Sequence, residues 1–127
     1  MKTILIDTSL LVECAQHKID IHTELTRILD FSFTVGILDR TLDELETIIN
    51  RGGKEGAAAK LAKTILMTKR VTIYPTSGGH TDYLLLQRAN LETIVATVDR
   101  DLKARLKKKG QPVIVIRAKK MLELVGA

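Results

Sequence analysis

The stretch KTILIDTS, residues 2–9, determines the first element of the fold. Ile4, Leu5 and Ile6 follow one another without polar alternation, which is typical of a strand that is buried on both faces. The apolar run stops at Asp7, and no small-residue cleavage site follows a long apolar stretch, so we do not expect a signal peptide. We therefore predict a buried strand that ends at a carboxylate, in a cytoplasmic protein.

Four further stretches, at 34–38, 71–74, 93–98 and 112–116, are rich in apolar and β-branched residues and predict strands. Helical patterns separate them, and crossovers through helices produce parallel strands. We expect an α/β fold, a three-layer α/β/α sandwich around a mostly parallel five-stranded sheet, and a single domain over residues 1–127. No stretch approaches the roughly 20 apolar residues of a membrane span, so no membrane contact is expected. The predicted helices cover 9–17, 21–31, 40–51, 56–69, 81–89, 100–109 and 118–125.

Acidic residues directly follow two of these strands. Asp7 follows the first and Asp99 follows the fourth. The carboxyl ends of parallel strands lie at one edge of a sheet, and ligands bind there at the point where the strand order reverses. If the first and fourth strands are neighbours across that point, the two carboxylates face each other. Each aspartate also precedes a predicted helix, so the alternative is that it only caps that helix.

Two more acids belong to helices that follow strands. In the helix at 40–51, Glu44 and Glu46 both lie at the borders of the apolar face, and helical geometry leaves the choice between them open. Asp82 lies in the first turn of the helix that follows the double-glycine loop at 78–79. The helix dipole alone favours an acid there. The functional alternative is that the loop brings this carboxylate to the same sheet edge.

A cluster of carboxylates indicates a metal site. Carboxylates within a few ångströms repel one another and take up protons unless a cation compensates their charge. All-oxygen sites suit hard ions such as Mg²⁺ or Mn²⁺, and either one or two ions are compatible with these acids. Such ions activate water and stabilise the charge that develops when a phosphodiester is hydrolysed. No Ser/His/Asp arrangement, Cys/His arrangement or P-loop competes with this interpretation.

The charge balance favours a polyanionic substrate. The chain has 20 Lys and Arg residues against 15 Asp and Glu residues, a net charge of +5, although a soluble basic protein needs no polyanion. A basic run in the helix at 100–109 suits phosphate contacts, and the alternative is a solvated helix face. Tyr83 is a candidate to stack on a base, or else a core residue. The predicted RNA-binding residues are Arg100, Lys103, Arg105, Lys107, Lys108 and Lys109.

Four short stretches, ILIDTS at 4–9, DRTLDEL at 39–45, TDYL at 81–84 and TVDRDL at 97–102, resemble the motifs of PIN-domain nucleases. Their order and spacing cover nearly the whole chain. The resemblance implies a metal-dependent endoribonuclease with an acidic quartet that binds Mg²⁺ or Mn²⁺. The residues it implies are Asp7, Glu44, Asp82 and Asp99 as catalytic metal ligands, Asp101 as a further candidate ligand, and Thr8 or Ser9, and Thr97, as supporting hydrogen-bond donors.

The resemblance, rather than helix periodicity, selects Glu44 over Glu46. The stretch 94–116 looks most like archaeal PIN proteins related to the nucleases of small-subunit rRNA processing, and toxins of the VapC type share the same core. The implied partners are RNA, an antitoxin protein or a pre-ribosomal particle, and a second copy of the chain in a homodimer. Thr81 stands where the rRNA-processing relatives usually carry an additional acid, which leaves a second metal ion open.

Two other functional classes compete with a nuclease. One is a non-catalytic RNA-binding or ribosome-associated module on the same fold, against which the intact quartet argues. The other is a phosphatase or receiver domain with an aspartate that accepts a phosphoryl group. Phosphatases of that kind usually need Asp-x-Asp after the first strand and receiver domains need an acidic pair there, and the segment 7–9, Asp-Thr-Ser, has neither.

Overall fold

A computed structural model describes residues 1–126 and contains six strands and six helices over that range. The predicted strands and helices up to residue 117 are present, with ends that differ by one to three residues. The strands are β1 (Lys2–Ile6), β2 (Phe33–Leu38), β3 (Thr72–Tyr74), β4 (Thr93–Ala96), β5 (Val113–Arg117) and β6 (Met121–Val125). The helices are α1 (Thr8–Gln16), α2 (Ile21–Ile28), α3 (Asp39–Arg51), α4 (Gly53–Lys69), α5 (Thr81–Arg88) and α6 (Arg100–Lys108).

The six strands form one sheet in the order β3-β2-β1-β4-β5-β6. β1 pairs in parallel with β2 on one side and with β4 on the other, and β3 and β5 extend the sheet in parallel outward. The chain therefore leaves β1 towards β2 and β3 and later returns to the other side of β1 as β4. The reversal of strand order lies between β1 and β4, where ligands bind in sheets of this type.

Helices cover both faces of the sheet, as predicted for a three-layer α/β/α sandwich. Along β1, Ile4 and Ile6 belong to one apolar cluster and Leu5 to the other, because successive side chains point to opposite faces. The first cluster contains buried side chains of α1 to α4, and the second contains Leu85 of α5 and Leu102 of α6. Within residues 1–126 no helix is both long enough and apolar enough to cross a bilayer.

The prediction of a helix at 118–125 is wrong, and the sheet has six strands rather than five. Ala118 and Lys119 have left-handed backbone angles, with φ of 53° and 55°, and form a tight turn that sends the chain back as β6, antiparallel to β5. Pairing buries Leu122 completely against the core while Met121 stays exposed. A short apolar segment fits a helix or a strand equally well, and contacts with β5 decide between them.

Candidate active site

Asp7 lies at the carboxyl end of β1 and is almost fully buried, with 5% of its surface exposed. Its backbone N–H donates to the carbonyl of Ala96 (2.9 Å), so the β1–β4 pairing continues to this residue. Thr97 Oγ1 and Ser9 Oγ both donate to Asp7 Oδ2, at 2.7 Å and 2.8 Å. Two hydroxyls therefore fix this carboxylate at the switch point of the sheet.

The environment of Asp7 disfavours its ionised form. Burial raises the pKa of the Asp7 carboxyl above its usual value of 3.8, and the negative charge of Glu44 raises it further. The hydrogen bonds from Thr97 and Ser9 act in the opposite direction, because they stabilise the carboxylate. A carboxylate with a raised pKa beside another acid is typical of a site that functions with a bound cation.

Glu44 lies on α3 and accepts hydrogen bonds from the first residues of two other helices, α1 and α5. Thr8 Oγ1 donates to Glu44 Oε1 (2.5 Å) and Thr81 Oγ1 donates to Oε2 (3.1 Å). These contacts place the carboxylate between the beginnings of α1 and α5. Glu46 instead forms an ion pair with Lys63 of α4. The contacts therefore favour Glu44 over Glu46 as the member of the acidic cluster, and Thr81 contributes a hydroxyl to it.

Asp82 is half-buried in the first turn of α5. Burial raises the pKa of the Asp82 carboxyl, and the charges of Asp99, Asp7 and Asp101 raise it further. The positive charge of Arg105 acts in the opposite direction. Asp82 is thus within electrostatic range of the acids at the ends of both central strands, which supports the delivery of its carboxylate to the sheet edge by the preceding loop.

Asp99 caps α6 and also borders the cluster. Its Oδ1 accepts the backbone N–H of Leu102 (2.9 Å), so the capping role considered from the sequence is present. Its own backbone N–H donates to Thr97 Oγ1 (3.0 Å), the hydroxyl that donates to Asp7. Thr97 is fully buried and joins the ends of β1 and β4 through this pair of hydrogen bonds. Capping engages one carboxylate oxygen and does not prevent the other from binding a ligand.

Within residues 1–126 the four acids of the cluster form no ion pairs. No lysine, arginine or histidine in residues 1–126 forms an ion pair with Asp7, Glu44, Asp82 or Asp99. Over the same residues, no three acidic, histidine or cysteine side chains stand close enough together to enclose a metal ion. The donors are nevertheless carboxylate oxygens at one sheet edge whose charges act on one another. This donor chemistry fits a hard divalent cation.

Comparison with known proteins shows the family to which this chain is related. Its residues 4–119 match the family model described as a PIN like domain. The chain belongs to this family. It is 33% identical over 129 residues to Ribonuclease VapC4 of Methanocaldococcus jannaschii, a match that covers 99% of this chain and 98% of the relative. The resemblance to PIN-domain nucleases inferred from the short motifs is confirmed.

Two solved structures share the fold. The PIN domain endonuclease Utp24 superposes with a TM-score of 0.78 and 27% identity, covering 98% of this chain and 92% of the other. A domain of a functionally unknown protein from M. jannaschii gives a TM-score of 0.66 over 93% of each chain, and at 17% identity it shows the fold alone.

The predicted RNA-binding residues of α6 differ in their contacts. Arg105 forms an ion pair with the exposed Asp101 (3.1 Å), and its positive charge acts on Asp82. Lys109 Nζ donates to the carbonyls of Leu86 (2.7 Å) and Ala89 (2.9 Å), so it closes the C-terminal end of α5. The others lie on the outer surface of α6, with Lys103 half-buried and three exposed: Arg100, Lys107 and Lys108.

Sequence reasoning missed two contributions to the site. Thr81 entered only as a departure from the family pattern, and its contact with Glu44 depends on the tertiary structure, which brings the start of α5 to α3. Asp39 accepts hydrogen bonds from the backbone N–H (3.0 Å) and hydroxyl (2.6 Å) of Thr76. This contact anchors the loop between β3 and α5, and the only signal for it in the sequence was an acid in a first helical turn.

Proposed function

We propose that this protein is a divalent-metal-dependent endoribonuclease that hydrolyses RNA phosphodiester bonds. The observation that carries the proposal is the placement of Asp7 and Asp99 at the carboxyl ends of the two adjacent central strands, where Thr97 connects them. Thr8 connects Glu44 to the start of α1, Asp82 lies in the first turn of α5, and none of the four acids is ion-paired within residues 1–126. The relatives named Ribonuclease VapC4 and PIN domain endonuclease Utp24 support the reaction class. The proposed catalytic metal ligands are Asp7, Glu44, Asp82 and Asp99.

One or two Mg²⁺ or Mn²⁺ ions, when bound, would supply activated water and charge stabilisation at the scissile phosphate. The chain itself supplies orientation. Ser9 and Thr97 restrain Asp7, and Thr8 and Thr81 restrain Glu44, so two of the carboxylates are held before any ligand arrives. Preorganised groups of this kind lose little entropy when they take up a ligand.

Asp101 is assigned a supporting electrostatic role rather than that of an inner ligand. Its side chain is 68% exposed and is paired with Arg105. Its charge still acts on Asp82, so it strengthens the negative potential that attracts a cation. A second ion, if the site holds one, would be bound by Asp82 and Asp99, because Asp99 contributes the largest of the acidic charges that act on Asp82.

The phosphate backbone of RNA would contact α6, whose start at Asp99 borders the acidic cluster. The positive charge of Arg105 acts on Asp82, a member of that cluster. Arg100, Lys103, Lys107 and Lys108 extend the basic surface, and contacts of this kind bind phosphate without reading sequence. Lys109 is a weaker candidate, because two backbone carbonyls already accept its ammonium group.

We further propose that the protein is cytoplasmic and consists of one domain. Two cellular roles are compatible with the proposed activity. In the first, the chain is a toxin held by an antitoxin protein, as the name of the relative VapC4 suggests. In the second, it processes rRNA on a pre-ribosomal particle, as the likeness of the stretch 94–116 suggests. Induced expression distinguishes them, because a toxin arrests growth unless a small neighbouring gene is co-expressed. Measurement of the mass in solution tests the homodimer.

The deciding experiment compares RNA cleavage by the wild type, Asp7→Asn and Glu46→Gln in Mn²⁺ and in EDTA. We expect the wild type and Glu46→Gln to cut RNA only with the metal, and Asp7→Asn to lose at least about a hundredfold in rate, since a positioned charge is lost. Glu46→Gln is the matched control, because Glu46 lies on α3 but pairs with Lys63. Full activity of Asp7→Asn refutes the proposal. RNA binding without any cleavage supports the non-catalytic module instead.

A further inference from the structure

The segment 76–81, which leads from β3 into α5, is attached to α3 at both of its ends. At the first end, Thr76 donates its backbone N–H to Asp39 Oδ2 (3.0 Å) and its hydroxyl to Asp39 Oδ1 (2.6 Å). At the second end, Thr81 donates its hydroxyl to Glu44 Oε2 (3.1 Å). Asp39 and Glu44 both belong to α3, so a single helix holds the segment at two points.

The middle of this segment has no comparable support. Residues 77–80 are all exposed. Gly78 and Gly79 have φ angles of 110° and 98°, and a Cβ placed on Gly78 would meet no atom within 4 Å. Over residues 1–126, no hydrogen bond joins Ser77, Gly78 or Gly79 to the rest of the protein. Because glycine permits many backbone conformations, the attachments at the two ends determine the path of the segment.

The second end of the segment fixes the orientation of the first turn of α5. Thr81 is buried, Asp82 is half-buried and Tyr83 is 54% exposed. Tyr83 therefore points away from the interior, and the alternative of a core tyrosine is wrong. Rotation or displacement of this turn would move Thr81 away from Glu44 and would move the carboxylate of Asp82 together with it. The placement of Asp82 thus depends on the segment that precedes it.

Asp39 is suited to hold the first end of the segment. The hydrogen bond from the Thr76 hydroxyl, followed by that from its backbone N–H, lowers the pKa of the Asp39 carboxyl below its usual value of 3.8. Asp39 is therefore ionised at neutral pH, and hydrogen bonds to a charged acceptor are about twice as strong as neutral ones. The helix dipole explains an acid in the first turn of α3, but it does not explain two hydrogen bonds to a residue 37 positions away.

We propose that Asp39 is a positioning residue for the cation site. By holding Thr76 it fixes the path of the segment 76–81 and so keeps the carboxylate of Asp82 at the edge of the sheet. The proposal rests on the proposed function for the presence of a cation at the four carboxylates. Asp39 does not bind the ion itself. Residues that orient metal ligands from outside typically change the metal affinity by about tenfold to a hundredfold when they are removed.

Calorimetric titration of the metal-free protein with Mn²⁺ measures this role without any RNA. Asp39→Ala removes both hydrogen bonds and should weaken Mn²⁺ binding by about tenfold or more. Thr76→Val removes one of them without changing α3 and should cause a smaller loss. Thr76→Ser retains both and should bind like the wild type. Asp43→Ala removes an exposed charge beside Glu44 on the same helix, so it is the electrostatic control and should also bind like the wild type.

Amide exchange in EDTA tests whether the start of α5 is what changes. The Leu84 N–H donates to the His80 carbonyl (3.0 Å) at the start of α5, and the Lys103 N–H donates to the Asp99 carbonyl (3.0 Å) in the corresponding position of α6. We expect exchange at Leu84 to become faster by about tenfold in Asp39→Ala and by less in Thr76→Val. Lys103 should keep its wild-type rate in both variants.

The outcomes separate this proposal from the proposed function. Equal Mn²⁺ affinity in the wild type and Asp39→Ala overturns the positioning role and leaves the nuclease proposal intact. Faster exchange at Leu84 with unchanged Mn²⁺ affinity also overturns it, because Asp39 then stabilises only the loop. An equal loss of affinity in Asp43→Ala overturns it as well, since charge alone then explains the effect. Absence of Mn²⁺ binding in the wild type refutes the proposed function and the positioning role together.

Discussion

Thr97 donates its hydroxyl proton to Asp7 Oδ2 (2.7 Å) and accepts the backbone N–H of Asp99 (3.0 Å) on the same oxygen. One buried side chain therefore connects the acids that follow the two central strands. We expect Thr97→Val, which is similar in shape, to lower the free energy of unfolding by about 1–3 kcal/mol, because a buried carboxylate and a backbone donor lose a partner. Thr97→Ser retains the hydroxyl and should lose much less. Urea denaturation measures both, and equal stability of Val and Ser variants contradicts the role of the hydroxyl.

At neutral pH, the ionised side chain of Asp7 should lower the stability of the metal-free protein. Burial raises the pKa of the Asp7 carboxyl above 3.8, so ionisation of Asp7 disfavours the folded state. The stability contributed by the protonated carboxyl is therefore fully present below pH 3.8 and is lost as the pH rises through the pKa of the folded state. Asp7→Asn removes this dependence. In EDTA at pH 7 the variant should be more stable than the wild type by about 1 kcal/mol. The difference should shrink as the pH falls towards 4, and a less stable variant at pH 7 contradicts the assignment.

A divalent cation should reverse that ranking. A ligand that binds only the folded state stabilises it by about 2.7 kcal/mol at a hundred times its dissociation constant. Saturating Mn²⁺ should therefore raise the Tm of the wild type by several degrees. Asp7→Asn should respond weakly, and Glu46→Gln should respond like the wild type, since Glu46 is paired with Lys63. Differential scanning calorimetry makes this test without any RNA. An equal response of all three proteins places the ion elsewhere.

Variants of Lys107 and Lys109 should have different effects, the first on RNA binding and the second on helix capping. Lys107→Met removes an exposed charge and should weaken RNA binding and reduce the slope of log K against log salt by about 1. Lys109→Met removes the donor to the carbonyls of Leu86 and Ala89. It should cost about 1 kcal/mol of stability and leave the salt slope nearly unchanged. Filter binding at several salt concentrations, with denaturation of each variant, is the measurement. Identical salt slopes for the two variants contradict the distinction.

Glu24 should protect the edge of the sheet in a pH-dependent way. Its Oε1 accepts the backbone N–H of Leu122 (2.9 Å), and Arg27, which pairs with Glu24, donates to the Leu122 carbonyl (2.9 Å). The hydrogen bond from Arg27, followed by that from Leu122, lowers the pKa of Glu24 below 4.5. Its contribution to stability is therefore present above that value and is lost as the pH falls through the folded pKa.

Glu24→Ala should consequently expose the outer edge of β6. We expect a loss of about 1–2 kcal/mol at pH 7, since a charge-assisted hydrogen bond is removed. Amide exchange should become faster in β6, with β1 less affected. Glu13→Ala, which removes an acid paired with His17 on α1, is the control. If β6 exchanges at the wild-type rate in Glu24→Ala, the protective role is refuted.

The amino-acid sequence by itself determined the class of fold and the positions of Asp7 and Asp99. Both are local properties: an apolar run without alternation predicts a buried strand, and an acid directly after it must lie at the strand's carboxyl end. The same reasoning predicted five of the six strands and all six helices of residues 1–126. Helix 118–125 was the error, because its apolar residues fit either structure until β5 offers a partner.

Tertiary structure decided what depends on contacts between distant segments. Helical geometry put Glu44 and Glu46 in equivalent border positions, and the hydroxyls of Thr8 and Thr81 on one side and Lys63 on the other distinguish them. In the sequence, Lys109 is one more cation of a basic run. In the structure, two carbonyls at the end of α5 accept its ammonium group. A residue's own neighbours in the chain set its backbone conformation, whereas the partner of a polar side chain is set by which elements pack together.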